Sequence, residues 1–102
     1  MLIKLDRRMI VYEFNCNRTV KVKLTPIGIA ELKRQHQLMV HQYNPPLTRP
    51  FIEPETDKEG WSSWQLHDLM SRFGDSMVVG MDVPFETAIR FEEKDMKPIT
   101  ND

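Results

Sequence analysis

Arg18-Thr19-Val20-Lys21-Val22-Lys23-Leu24-Thr25-Pro26 is the stretch on which the fold turns. Val20, Val22 and Leu24 alternate with Thr19, Lys21 and Lys23, the period of two that a strand with one apolar and one basic face requires. Thr25-Pro26 then changes the period, because a capping hydroxyl stands before a proline whose fixed φ suits the first helical position. The helix should reach about Tyr43, since Ile29, Leu32, His36, Met39 and Tyr43 recur at spacings of three and four. Lys33, Arg34, Gln37 and Gln42 fall off that stripe, and Asn44-Pro45-Pro46 stops the helix. Upstream, residues 8–14 are β-branched and aromatic and read as a strand, with Asn15-Cys16-Asn17 as the turn between the two strands. The pair is expected to be a β-hairpin with one basic face.

Downstream, residues 45–60 carry four prolines and an acidic end and read as a long loop, pinned by Phe51-Ile52. Ser62-x-x-Gln65 matches a capping box for a second helix, with Leu66, Leu69, Met70 and Phe73 as its core stripe and Gly74 as its C-terminal glycine. Residues 75–81 suggest a short helical turn, and residues 86–92 a last strand that pairs with one hairpin strand. The expected fold is α+β, a small two-layer domain of order β-β-α-α-β, with the hairpin and C-terminal strand packed against two helices. Residues 1–93 form that single domain, and residues 94–102 read as a polar tail that orders only if something holds it. A three-stranded sheet leaves edges open, so a homo-oligomer is expected.

The chain has 102 residues, enough for one core and no second. No apolar run approaches the ~20 residues of a membrane span, and the first residues lack the layout of a signal peptide. Cys16 is alone, which excludes an intrachain disulfide and fits a cytoplasmic setting. The formal charge of −1 hides an asymmetry: residues 1–49 hold nine Lys/Arg against three Asp/Glu (+6), and residues 50–102 hold five against twelve (−7). Either the halves neutralise each other by packing, or the basic half receives an anionic ligand.

No metal site is indicated, because His36, His41 and His67 show neither a cysteine pair nor an H-E-x-x-H spacing. His36 lies in the apolar stripe and reads as a hydrogen-bonded core histidine, whereas His67, one turn from Trp64, stays a site candidate. No nucleophile motif, P-loop or dinucleotide fingerprint is present, so no catalytic residue and no cofactor is assigned. Trp61 and Trp64 beside the proline-rich loop could staple loop to helix or form a stacking wall for a planar ligand such as a nucleobase. Cations for its phosphate are Arg8, Arg18, Lys21, Lys23, Arg34 and Arg49. The candidate ligand-binding set is Trp61, Trp64, His67, Lys21, Lys23 and Arg34. Duplex nucleic acid is disfavoured by the slightly acidic total charge and the absence of a helix-turn-helix.

Val20-Lys21-Val22-Lys23-Leu24-Thr25, Gly28, Leu32-Lys33 and His36, followed by Gly60-Trp61, Trp64-Gln65-Leu66, Leu69-Met70, Phe73-Gly74, Gly80 and Pro84-Phe85-Glu86, resemble a family of small bacteriophage and prophage proteins. The resemblance covers roughly residues 18–91 and rests on packing and turn residues more than on chemistry. The family places an aromatic where this chain has His67, which puts a shared role for that position in doubt. A phage setting implies action in the host cytoplasm against host defence. The leading expectation is a non-enzymatic, oligomeric sponge for a nucleotide immune signal. The alternatives are an anti-CRISPR-like inhibitor that binds a host defence protein through the acidic residues 53–59, a small nucleotide hydrolase using His67 and Asp68, and a part of the phage replication or assembly machinery.

Overall fold

The computed structural model describes residues 9–78 and 82–101. Its elements are β1 (Met9–Phe14), β2 (Thr19–Lys23), α1 (Pro26–His41), β3 (Trp61–Gln65), α2 (Leu66–Phe73), β4 (Arg90–Phe91) and β5 (Met96–Asn101), with 3₁₀ turns at Gly74–Ser76 and Glu93–Asp95. The architecture is α+β, as the sequence predicts, with strands in two antiparallel sheets. The expected readings at residue 8, residues 79–81 and residue 102 lie outside the described residues.

β2 is the centre of the larger sheet, whose order is β3-β2-β4. Val20 and Val22 are fully buried and meet Leu32 of α1, Leu69 and Phe73 of α2, and Phe85. Phe73 holds this core together, with its ring set edge-on to Trp64 at 5.7 Å and to Phe85 at 6.0 Å. Both helices therefore cover one face of the sheet, and the residues between them on β2, Lys21 and Lys23, belong to the other face.

The expected hairpin does not form. Residues 15–17 do make a tight turn, in which Arg18 N–H donates to the Asn15 carbonyl at 2.8 Å. Yet β1 pairs with β5 from Met9↔Asn101 to Phe14↔Met96, because β3 and β4 already occupy both edges of β2. The segment expected as a polar tail is thus held by β1. The last strand of the body is shorter than the expected 86–92: β4 is two residues, preceded by a single bridge between Leu24 and Phe85.

Residues 61–65 are also strand, not the start of a helix. Their capping box is unused, and α2 begins at Leu66 with no side-chain cap. The turn after β1 takes over that role: Leu66 N–H donates to the Arg18 carbonyl at 3.1 Å and His67 N–H to the Cys16 carbonyl at 3.0 Å, satisfying two otherwise orphaned donors. Gly74 caps α2 in right-handed backbone and opens a 3₁₀ turn, while Met70, expected in the stripe, is 54% exposed. Glycine is needed instead at Gly60, whose φ of 94° closes the turn from Asp57 into β3.

α1 starts as expected. The Thr25 hydroxyl accepts from Gly28 N–H at 3.2 Å and donates to the Val83 carbonyl at 2.6 Å, and Pro26 occupies the first turn. Leu32 is buried and Ile29, His36 and Met39 half-buried, whereas Tyr43 lies past the helix end and is exposed.

The start of α1 is locked against the returning chain. Thr25 N–H donates to the Pro84 carbonyl at 3.0 Å and Glu86 N–H to the Lys23 carbonyl at 2.8 Å. A Cβ at Gly28 would overlap the Pro84 carbonyl oxygen. Alanine there improves helix propensity by about 1 kcal/mol, but it must push rigid backbone away. Gly28→Ala should therefore lower stability by about 1–3 kcal/mol, the usual cost of overpacking, as a fall in the thermal midpoint. An unchanged or raised midpoint would contradict this crossing.

Candidate ligand-binding site

A cavity of about 390 Å³ opens between α1, the proline-rich loop, β3 and α2. Leu32, Met39, Phe51 and Trp64 give it apolar and aromatic walls, and His36, Gln35, Arg49 and Arg72 give it polar groups. The loop is fixed to α1 at His36, whose Nε2–H donates to the Arg49 carbonyl at 2.7 Å and whose ring meets Phe51 edge-on at 5.8 Å. His36 is hydrogen-bonded as expected, but it is half-buried at the border of the cavity and does not belong to the core. Lys33 Nζ lies 5.9 Å from the Phe51 ring centroid on the outer side of α1. Only Phe51 of the expected Phe51-Ile52 anchor packs on the core, and Ile52 is 80% exposed at the cavity rim.

Trp64 is held rigidly from below. Its Nε1–H donates to the Ser62 hydroxyl at 2.8 Å, and buried Ser62 in turn donates to the Val22 carbonyl at 3.2 Å. Arg72 is held across the helix pair: its Nη1–H donates to the Gln35 amide oxygen at 3.4 Å, its carbonyl accepts from Gln35 Nε2 at 2.7 Å, and its Nε lies 3.7 Å from Asp68. Arg49 makes no ion pair with the described residues. Two arginines and the aromatic residues Phe51 and Trp64 thus line one cavity, a combination suited to a ligand with a flat ring and an anionic end.

The opposite face of the sheet carries a second arrangement. Trp61 is 8% exposed, with Arg90 at 3.9 Å and Lys23 at 5.2 Å from its ring centroid, and its Nε1–H has no acceptor among the described residues. Residues 57–61 fold against this face through Asp57, whose carboxylate accepts from Glu59 N–H at 2.9 Å and Trp61 N–H at 3.0 Å. The Trp61 backbone donor is the main reason that the Asp57 carboxyl is held below the usual range. A second cavity of about 350 Å³ lies here, lined by Lys21, Ser63, Trp61 and the loop residues Glu55, Thr56 and Asp57.

The structure does not gather the six sequence-predicted ligand residues into one site. Trp61 and Trp64 are three apart on a strand, not a helix, and so project to opposite faces. Trp64 lines the cavity under the loop; Trp61 and Lys21 line the one on the opposite face, with Lys23 beside it. The Trp61 ring is covered by cations and does not offer an open stacking wall. His67 is exposed on α2 and lines neither cavity. Arg34 is committed to Glu31 through two hydrogen bonds of 2.9 and 2.6 Å. Arg72, which the sequence reading missed, became relevant only once α2 was known to face the loop. Arg49, a candidate cation for phosphate, does line the cavity under the loop. Among the described residues, no group of three or more His, Cys, Asp or Glu could hold a metal ion, and no helix is long and apolar enough to cross a membrane.

Comparison with protein-family models, with curated proteins and with solved structures finds no match to this chain.

The Glu31 carboxyl is lowered to about 2, first by the hydrogen bonds from Arg34 and then by that from Gln35. A carboxyl depressed on folding stabilises above its unfolded value, and that contribution fades as the pH falls from the ordinary 4.5 towards about 2. Glu31→Gln should therefore have a lower thermal midpoint than the parent at pH 7, and the gap should close between those two pH values. A gap that stays constant with pH would show that the ionised form of Glu31 adds nothing.

Proposed function

We propose that this chain is a non-enzymatic binding protein that captures a small planar anion of the nucleotide class. One observation carries the reading: Trp64 and Phe51 share a cavity of about 390 Å³ with Arg49 and Arg72. That volume lies in the range of small-molecule sites, which are mostly apolar with a few converging polar groups. A base would stack on Trp64, and a phosphate would take the guanidinium of Arg72, Arg49 or both. The sequence resemblance supplies the setting of this proposal, a phage protein in the host cytoplasm that removes a nucleotide immune signal.

The other readings have less behind them. An acidic decoy for a host defence protein rests on Glu53, Glu55 and Glu59, which are exposed, while the Asp57 carboxylate is engaged by its own turn. A nucleotide hydrolase would need His67 near the ligand, and His67 does not line the cavity.

Titration of the Trp61→Phe variant with a panel of mononucleotides and cyclic nucleotides tests the proposal, because Trp64 is then the sole indole reporter. At least one nucleotide should quench it and be recovered intact. Trp64→Ala and Arg72→Ala should each weaken binding, followed by calorimetry, by about tenfold or more, the scale of a lost stacking or charged contact. Arg34→Ala should bind like the parent, since Arg34 is paired outside the cavity. Absence of binding across the panel, or full affinity in both Trp64→Ala and Arg72→Ala, would overturn the assignment.

A further inference from the structure

Lys21, Lys23 and Trp61, which the nucleotide site does not use, meet on the face of the larger sheet away from the helices. Lys21 stands directly opposite Ser63 on β3 and Arg90 on β4, and Lys23 stands opposite Trp61. Residues paired across strands share a face, so Lys21 and Arg90 set like charges side by side, which lowers stability unless an anion offsets it. Lys21, Lys23 and Arg90 make no ion pair with the described residues. The Arg90 guanidinium is held over the Trp61 ring, 3.9 Å from its centroid. Stacking of this kind leaves the N–H groups of a guanidinium free for another partner.

The cavity of about 350 Å³ beside these cations is rich in donors. Lys21 brings an ammonium, Ser63 and Thr56 bring hydroxyls, and Trp61 brings an indole. The Trp61 Nε1–H is buried and has no acceptor among the described residues. Buried donors are nearly always paired, so an orphan that borders a ligand-sized space points to an acceptor from outside the chain. Two carboxylates face these donors from the loop. Asp57 commits its carboxylate to the Glu59 and Trp61 backbone N–H groups, and Glu55 is exposed; neither makes an ion pair with Lys21.

We infer that this cavity is a second binding site, for a phosphate monoester, with Lys21, Ser63 and Trp61 as its donors and Lys23 and Arg90 as the surrounding positive charge. The number of donors selects the chemistry. A phosphate monoester presents three acceptor oxygens and a charge of about −1.5 to −2 at neutral pH, one oxygen for each of the three donors. A carboxylate offers two oxygens and a single charge. Lys23 and Arg90 draw in the same charge through the field they add over this face. Glu55 opposes it. The inference does not rest on the proposed nucleotide site, which lies on the helical side of the sheet.

Nuclear magnetic resonance of the full chain tests it, because each of the two tryptophans gives one indole N–H signal. The titrant is glycerol 3-phosphate, with sodium chloride of equal ionic strength as the control. The Trp61 signal, identified by its loss in Trp61→Phe, should move as Nε1–H gains an acceptor. The Trp64 signal, already bonded to the Ser62 hydroxyl, should move less. Lys21→Gln should weaken binding by about tenfold or more, the scale of a lost charged hydrogen bond. Glu55→Gln should tighten it, and Arg72→Ala, in the other cavity, should leave it unchanged. Neither Lys21 nor Glu55 belongs to the core, so the far-UV spectra of their variants should match the parent. A Trp61 signal that stays fixed, one that moves equally in chloride, full affinity in Lys21→Gln, or a response lost in Arg72→Ala would overturn the inference. So would tighter binding of an oligothymidylate without terminal phosphates, which would put the diester backbone of a nucleic-acid strand on this face.

Discussion

Both edges of β2 are taken, and most of what distinguishes this fold follows from that. β3 pairs along its whole length on one side, and β4 with the Leu24–Phe85 bridge closes the other. Val20 and Val22 are then covered by two helices and leave no exposed apolar surface on the central strand. β1 has no place in this sheet, although the turn at residues 15–17 reverses the chain beside it. It runs outward and finds β5 instead, which converts a compact two-layer domain into a body with an arm.

The same pairing builds the cavity. Recruiting residues 61–65 as a strand fixes Trp61 and Trp64 on opposite sides of the sheet, so that only Trp64 is directed to the helical side. Ser62, between them, ties Trp64 to the backbone of β2 and makes its position a property of the core. The loop that must travel from the end of α1 back to β3 crosses over Leu32 and Met39, and His36 holds it at Arg49. The cavity is the space left under that crossing. Its Trp64 wall is therefore fixed to the sheet, while Phe51 and the rim, with Arg49 and the exposed Ile52, belong to the loop.

The local signals were legible where one segment decides its own state. The alternation of residues 19–24 and the Thr25-Pro26 cap are strong because neither depends on distant partners, and both elements stand where they were expected. Residues 61–65 failed for the opposite reason. Ser62-x-x-Gln65 is a sound helix signal in isolation, but the open edge of β2 offered five paired residues, and the carbonyls of Cys16 and Arg18 supplied the caps that α2 needed one turn later. Pairing across roughly forty residues leaves no trace in periodicity. The candidate site suffered from the same error: placed on a helix, Trp61 and Trp64 share a side, and placed on a strand they cannot. Arg72 was invisible because its role depends on Gln35 of the other helix.

The arrangement around β2 is tested most directly by native-state hydrogen exchange of the backbone amides, resolved by residue. If both edges of β2 are paired in the body, the amides of residues 20–23 should exchange only with global unfolding. Those of residues 10–14 and of β5, bar Pro98, should open together, faster and as a separate unit. Common protection of residues 10–14 and 20–23, lost in a single step and independent of β5, would mean that the two strands form a hairpin and would contradict the account.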